Sequence, residues 1–264
     1  MRVSAIQTTE ATPAPAPAAS HGSADLQAWN RELNKTHAMA AMRARAGRIV
    51  TALEDRRRRL VVERVLRHGP QVVVDVGCED GWIAEGYVNG VVAQDGGRVV
   101  LADLDPDVLA STSLAGRAAV DTVVTDATAP DALAAHLGAR GADVIVLSAL
   151  LEHLPDPAAA LRALAPLRAP GGRFVVYLPA DGPILLAKRV LKTTRLGKLV
   201  RGLSLEPAPG HLHQFSRKDV ARLLTVLTEQ GDVVEEISFD PACLGYIAVV
   251  RRAALRSAVG QGSD

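Results

Sequence analysis

Only two cysteines occur in the 264 residues, Cys78 and Cys243, and they sit in unlike contexts. That excludes a disulfide framework and any paired-thiol zinc spacing. Neither sign of charge is in excess, the formal net charge being +1. Such a balance gives no whole-molecule field to gather nucleic acid or an anionic membrane. Also lacking at the start is an apolar run long enough for a secretory signal or a membrane span. The opening "MRVSAIQTTEATPAPAPAASHGSAD" instead alternates Ala and Pro, which neither builds a helix nor buries much surface. Residues 1–25 are therefore expected to form a disordered tail, and 255–264 a flexible one. No internal repeat is visible. A reducing cytoplasm is the compartment that fits best.

What is present suits a globular protein: 48% of residues are hydrophobic and 22% charged, and the length allows one sizeable domain plus extensions. From Thr36 to Arg67 the apolar positions Met39, Met42, Ile49, Val50, Leu53, Leu60, Val61, Val65 and Leu66 recur at helical spacing. This predicts a helical extension over 26–68. The run "EDRRRR" (54–59) interrupts those positions and reads as a solvated helix face, with contact to a polyanion as the alternative.

A regular rhythm follows. "QVVVDVG" (71–77), "RVVLADL" (98–104), "DTVVTDA" (121–127), "ADVIVLSAL" (142–150) and "GGRFVVYLP" (171–179) read as short strands. The segment to about Val92, "DPDVLASTSLAGR", residues 129–138 and "DPAAALRALAPL" read as the helices between and after them. Strands apolar throughout that alternate with helices imply a parallel sheet covered on both faces. "SRKDVARLLTVLTEQ" (216–230) is a further helix, and "VVEEISF" and "YIAVVRR" are two closing strands, antiparallel because they are close in sequence. The expected fold is α/β, a seven-stranded, mostly parallel, doubly wound sheet over 69–254. An insertion at about 181–215, after strand five, is placed to act as a lid.

Ligands of such sheets bind beyond the carboxyl ends of the strands. Four successive strands end in polar residues there: Asp75, Asp103, Asp126 and Ser148. Asp103 follows Gly81 at about the interval at which a carboxylate grips ribose hydroxyls after a glycine loop. The loop itself, "VDVGCEDG" (74–81), has only Gly77 and Gly81, with Glu79 between them. A dinucleotide loop needs glycine where Glu79 stands, and a carboxylate there would repel a pyrophosphate. NAD and FAD are disfavoured. S-adenosylmethionine, which has ribose and adenine but no phosphate, tolerates Glu79 if that side chain points outward or is paired.

Six segments in order carry a family resemblance: "VVVDVGCEDG", "VVLADLDPDVL", "VVTDAT", "DVIVLSALLEHLPDP", "LAPLRAPGGRFVVYLP" and "GHLHQFSRKDVARLL". Over about 70–250 the chain resembles the class I S-adenosylmethionine-dependent methyltransferases of the small-molecule branch, with their Rossmann-like fold. The resemblance implies that Asp75, Gly77 and Gly81 hold the methionine part of the cofactor and Asp103 the ribose. It places Leu104 and Ala127 against adenine, Asp126 on the adenine amino group and Ser148 beneath the methyl. His211 matches the late-motif histidine at the acceptor pocket and is the first choice of general base, with a structural role as the alternative. His153 is a second catalytic candidate, more in keeping with an orienting role. Tyr177 and His213 are candidates for the acceptor wall.

In ubiquinone-type O-methyltransferases a Glu-Met-Leu-Glu-His segment is associated with a metal. Ala149 replaces its first glutamate here, leaving Glu152 and His153, so no metal is expected. The end of strand four, "LSAL", lacks the Pro-Pro-aromatic signature used on base and amide nitrogens. No cysteine follows strand four or five to attack a pyrimidine, and Cys78 reads as a small loop residue. Nucleic acid is thus not an expected partner. Methylation of oxygen on a small molecule leads, in secondary metabolism or sugar modification. N- or C-methylation and a silent cofactor-binding protein are the alternatives. The basic segment 187–203 has three readings: a solvated lid, a site for an anionic acceptor, or a membrane-surface helix suited to a lipid-linked one. Oligomeric state is open.

Overall fold

The computed structural model describes residues 48–180, 182 and 211–253. The two expected tails, most of the insertion including 187–203, and the first half of the helical extension lie outside the described residues.

A long helix, α1 (Arg48–Leu66), leads into the sheet. The strands are β1 (Val72–Val76), β2 (Arg98–Asp103), β3 (Val120–Val124), β4 (Ala142–Ser148), β5 (Arg168–Pro179), β6 (Val233–Asp240) and β7 (Gly245–Arg251). They form one sheet in the order β3-β2-β1-β4-β5-β7-β6. The first five are parallel, while β7 runs antiparallel to both β5 and β6. The chain order therefore reverses between β1 and β4, where a crevice opens at the strand tips.

Each connection except the short turn between β6 and β7 carries a helix: α2 (Val88–Val92), α3 (Pro106–Ser111), α4 (Asp131–Leu137), α5 (Pro157–Leu164) and α6 (Arg217–Thr228). Their starts are encoded locally. Asp105 and Asp156 accept from the backbone N–H groups of Asp107 and Ala159, each followed by a proline in the first turn. Ser216 and Asp219 form a reciprocal capping box on α6. The segment after β1 departs from the expected continuous helix. Residues 79–83 are turns, a short 3-10 turn follows at Ala84–Gly86, and α-helix begins only at Val88. Its apolar residues Ala84, Tyr87, Val88 and Val91 pack in one cluster with Leu60, Val61 and Val65 of α1.

Period-two alternation assigns the sheet residues to two cores. Val72, Val74, Val76, Ile145, Leu147, Phe174 and Val176 face α4, α5 and α6 through Leu133, Leu161, Leu164 and Leu224. Val73, Val144, Val146, Val175 and Ile247 face α1, α2 and α3. At about 1.5–3 kcal/mol for each fully buried branched aliphatic side chain, this double burial explains why β1 needs valine on both faces. Among the described residues no helix is long and apolar enough to cross a membrane.

Candidate functional site

The loop after β1 owes its shape to two close approaches. A Cβ on Gly77 would lie 2.8 Å from the Leu150 side chain, and one on Gly81 2.3 Å from the Thr112 hydroxyl. Both glycines also have positive φ, 70° and 78°. Glu79, the residue that breaks the dinucleotide pattern, adopts φ 49°, a left-handed conformation usually left to glycine. Its side chain is exposed, and its N–H donates to Asp103 Oδ2 at 3.3 Å. Its backbone thus joins two strand tips, and Glu79 itself forms part of the cleft wall.

Asp75 is 2% exposed and accepts from the Tyr87 hydroxyl at 2.7 Å. Burial pushes its carboxyl up to about 7, with the Tyr87 hydrogen bond opposing the rise. Asp103 is held by the N–H groups of Asp105 (3.0 Å) and Glu79. Burial raises its pKa too, against the pull of those two donors. Asp126 stands two residues beyond the end of β3 and takes the Thr128 N–H and hydroxyl, both at 2.7 Å. Ala127 beside it is buried and Leu104 half-buried. The structure brings Asp75, Gly77 and Ser148 together in one cleft, whose other walls are Arg57, Cys78, Glu79, Asp80, Trp82 and Ile83. Leu104, Asp126 and Ala127 lie at the next strand tips, outside that wall. Burial raises the Cys78 thiol pKa, which suits an inert loop residue.

The arginine run is where sequence reasoning missed most. It is a solvated face only in part, at Asp55 and Arg59. Arg56 pairs with Asp240 at 2.6 Å, and Arg58 reaches Glu85 at 3.5 Å and lies 5.0 Å from the Trp82 ring. Arg57 is buried in the cleft wall, 3.1 Å from Glu54 and 5.7 Å from the Tyr177 ring. Burial opposes its charge, but Glu54, Tyr177, Glu79 and Glu152 outweigh that and leave the guanidinium more basic than usual. The signal was available: Arg57, Val61 and Val65 share one helix face at i, i+4 spacing and all three are buried.

Tyr177, expected at the acceptor, is buried and its hydroxyl donates to the Cys243 carbonyl at 3.0 Å. His213 is likewise engaged with backbone, its Nε2 lying 2.9 Å from the Leu154 carbonyl. His153 and His211 do meet, with ring centroids 4.9 Å apart.

These residues fit S-adenosylmethionine on their own terms. Arg57 Nε and Ser148 Oγ are buried and have no hydrogen-bond partner among the described residues. Between them runs a loop in which added Cβ atoms would clash. Buried polar atoms in that state call for a partner. The acids in the same wall make a diphosphate a poor one.

Comparison with known proteins agrees. The family profile described as methyltransferase domain matches residues 42–226. A ubiquinone biosynthesis O-methyltransferase of Sodalis glossinidius (strain morsitans) is 38% identical over 101 residues, 38% of each chain. The chain spans between 38% and 64% of the length of the curated relatives it matches. The fold is that of the N-methyltransferase NodS from Bradyrhizobium japonicum WM9, in complex with S-adenosyl-L-homocysteine. There TM-score is 0.53 and identity 18%, over 76% of this chain and 87% of that one. It is also that of the plantazolicin methyltransferase BpumL with a desmethylPZN analog and S-adenosylhomocysteine. There TM-score is 0.61 and identity 13%, over 88% of this chain and 95% of the other. With its parallel sheet, its glycine loop and that profile match over well more than half its length, the chain belongs to the methyltransferase-domain family and has the class I S-adenosylmethionine-dependent fold.

Proposed function

We propose that this chain transfers a methyl group from S-adenosylmethionine to oxygen on a small-molecule acceptor, in secondary metabolism or sugar modification. One observation carries the reading: the cleft sets a buried cation, Arg57, and a buried acid, Asp75, about one tight glycine loop. That is the complement of an amino-acid zwitterion. Arg57 takes its carboxylate and Asp75 its ammonium; a dinucleotide has no ammonium for the second of these charge-assisted contacts. Asp103, oriented by two backbone N–H groups, presents its remaining acceptor capacity to ribose hydroxyls. Asp126 serves the adenine amino group, with Leu104 and Ala127 against the ring.

The cofactor, when bound, supplies a methyl already activated by its sulfonium. The protein's part is to align the acceptor with it and exclude water. Ser148, at the tip of β4, lies nearest the methyl. An acceptor hydroxyl also has a proton to lose, and the cluster of Glu152, His153 and His211 beyond Ser148 handles it. The relatives named as O-methyltransferases support oxygen as the target. The basic segment 187–203 suits an anionic or lipid-linked acceptor, and the cytoplasm suits the free cysteines.

Calorimetry with S-adenosylhomocysteine tests the cofactor half. Arg57→Ala is expected to weaken binding by about 1.5–3 kcal/mol, the usual range for a hydrogen bond to a charged group. Arg57→Lys should recover part of that loss, and equal affinity in wild type and Arg57→Ala would remove Arg57 from the site. Asp103→Ala should lose about 1–3 kcal/mol, and an unchanged affinity would refute the ribose assignment. Incubation of the chain with methyl-labelled cofactor and a panel of hydroxylated acceptors tests the transfer. Label found only on nitrogen or carbon, or on nothing, would overturn the proposed reaction.

A further inference from the structure

His153 follows β4 and His211 lies near the end of the insertion after β5, yet their rings meet edge to face, with an interplanar angle of 81°. Beside them lies the wholly buried Glu152. One ligand atom from each of the three side chains falls within 4.8 Å of the others. Backbone contacts bring the segments together. The N–H groups of Leu212 and His213 both donate to the Glu152 carbonyl, at 2.8 and 3.3 Å. His213 Nε2 sits 2.9 and 3.3 Å from the carbonyls of Leu154 and Pro155. This staple holds His211 over the short turn Leu151–His153, which follows β4 after Ala149 and Leu150. Residues that far apart in the chain are thus positioned before any ligand arrives.

We infer that Glu152, His153 and His211 bind one divalent first-row transition ion of the zinc or ferrous class. Two imidazoles with one carboxylate form a borderline nitrogen-rich donor set, which those ions favour. Magnesium and calcium need shells of oxygen, and a single carboxylate serves them poorly. Three protein ligands also leave coordination positions for a substrate. Ligand atoms about 2.1 Å from a tetrahedral ion lie roughly 3.4 Å apart, so a pair 4.8 Å apart must close by about 1.4 Å on loading, within reach of side-chain rotation. The expectation of no metal counted ligands in one segment only. His211 brings a ligand from a different segment, so Ala149 is no longer the decisive gap. The role of the ion rests on the methyl-transfer reading: at the mouth beyond Ser148 it would ease loss of the acceptor's proton. Its binding does not rest on that reading.

The test uses the full chain without an affinity tag, stripped by chelator. It is titrated with Co2+ followed by visible absorption, and with Zn2+ by calorimetry. One equivalent of each should bind, and about a hundredfold excess of Mg2+ should not displace it. His211→Ala and His153→Gln should each weaken Zn2+ by about tenfold or more, with circular dichroism and S-adenosylhomocysteine affinity unchanged. His136→Ala, remote from the cluster, should bind as wild type does. No Co2+ band in the wild-type chain, or Zn2+ affinity indifferent to both substitutions, would overturn the site. Ion binding through these residues with no methylated product from any acceptor would leave the site standing and overturn the proposed function instead. Undiminished methylation after chelation, with no Co2+ band, would do the reverse.

Discussion

Asp75→Asn is expected to stabilise the cofactor-free protein at about pH 8 by on the order of 4 kcal/mol and to change little at about pH 3.5. Asp75 lies in β1 with valines on either side, and burial lifts its carboxyl from 3.8 to about 7 despite the Tyr87 hydroxyl. An acid raised in this way keeps, in the folded chain, a proton that the unfolded chain has already released. Its contribution to stability is therefore full below the unfolded value, falls as pH climbs between about 4 and 7, and stays low above that. Asparagine resembles the neutral acid at every pH, so the two proteins should diverge across that window. Urea midpoints at several pH values measure the divergence; parallel curves would show that Asp75 does not titrate there. The same substitution should weaken cofactor binding, because a carboxylate is what an ammonium needs. S-adenosylhomocysteine titrated near pH 6 in buffers of different ionisation heat should show proton release from wild type and none from the variant. A residue that destabilises its own fold and yet serves a ligand marks a functional site.

Asp232→Ala should be among the most damaging changes distant from the cleft, costing about 3–5 kcal/mol and lowering Tm by roughly 6–20 °C. Arg168 opens β5 fully buried, with its guanidinium over the Phe174 ring at 4.1 Å. Asp232, also buried, is its acidic partner, and the Ala165 and Val250 carbonyls accept from its Nε and Nη1. Removing the acid leaves a charge in an apolar wall with only carbonyls for company. Replacing both partners, as in Arg168→Met with Asp232→Leu, should restore most of the loss, since the intact pair gains little over a well-packed apolar one. Differential scanning calorimetry of the three variants decides it: a double variant as unstable as Asp232→Ala would show that packing around Arg168, and not its charge, is what matters.

Much of this architecture is legible in residue order because parallel strands are buried on both faces. "VVVDV" has no polar alternation to confuse with an edge strand, and Asp75 stands out within it. The acids of β1 and β2 were visible for the same reason, as the polar ends of apolar runs. Asp126 falls outside its strand, because β3 ends at Val124 and the chain turns on the Asp126 side chain. Arg57 stayed hidden because a run of four arginines looks alike from end to end; only the helical phase set by Val61 and Val65 turns one of them inward. The meeting of Glu152 with His211 has no local signature at all. It is created by backbone hydrogen bonds across a long insertion, and neither periodicity nor spacing reports those.

Those bonds have one more consequence. The insertion departs at Ala180, whose N–H is anchored on the Leu244 carbonyl at 2.8 Å, and returns at Leu212, anchored on Glu152. With both posts held by backbone hydrogen bonds, lengthening the stretch between them adds a closure cost of only about 0.6 kcal/mol for each doubling of length. Descendants of this chain can therefore acquire new acceptors by rewriting that stretch while inheriting the methyl-donor half unaltered.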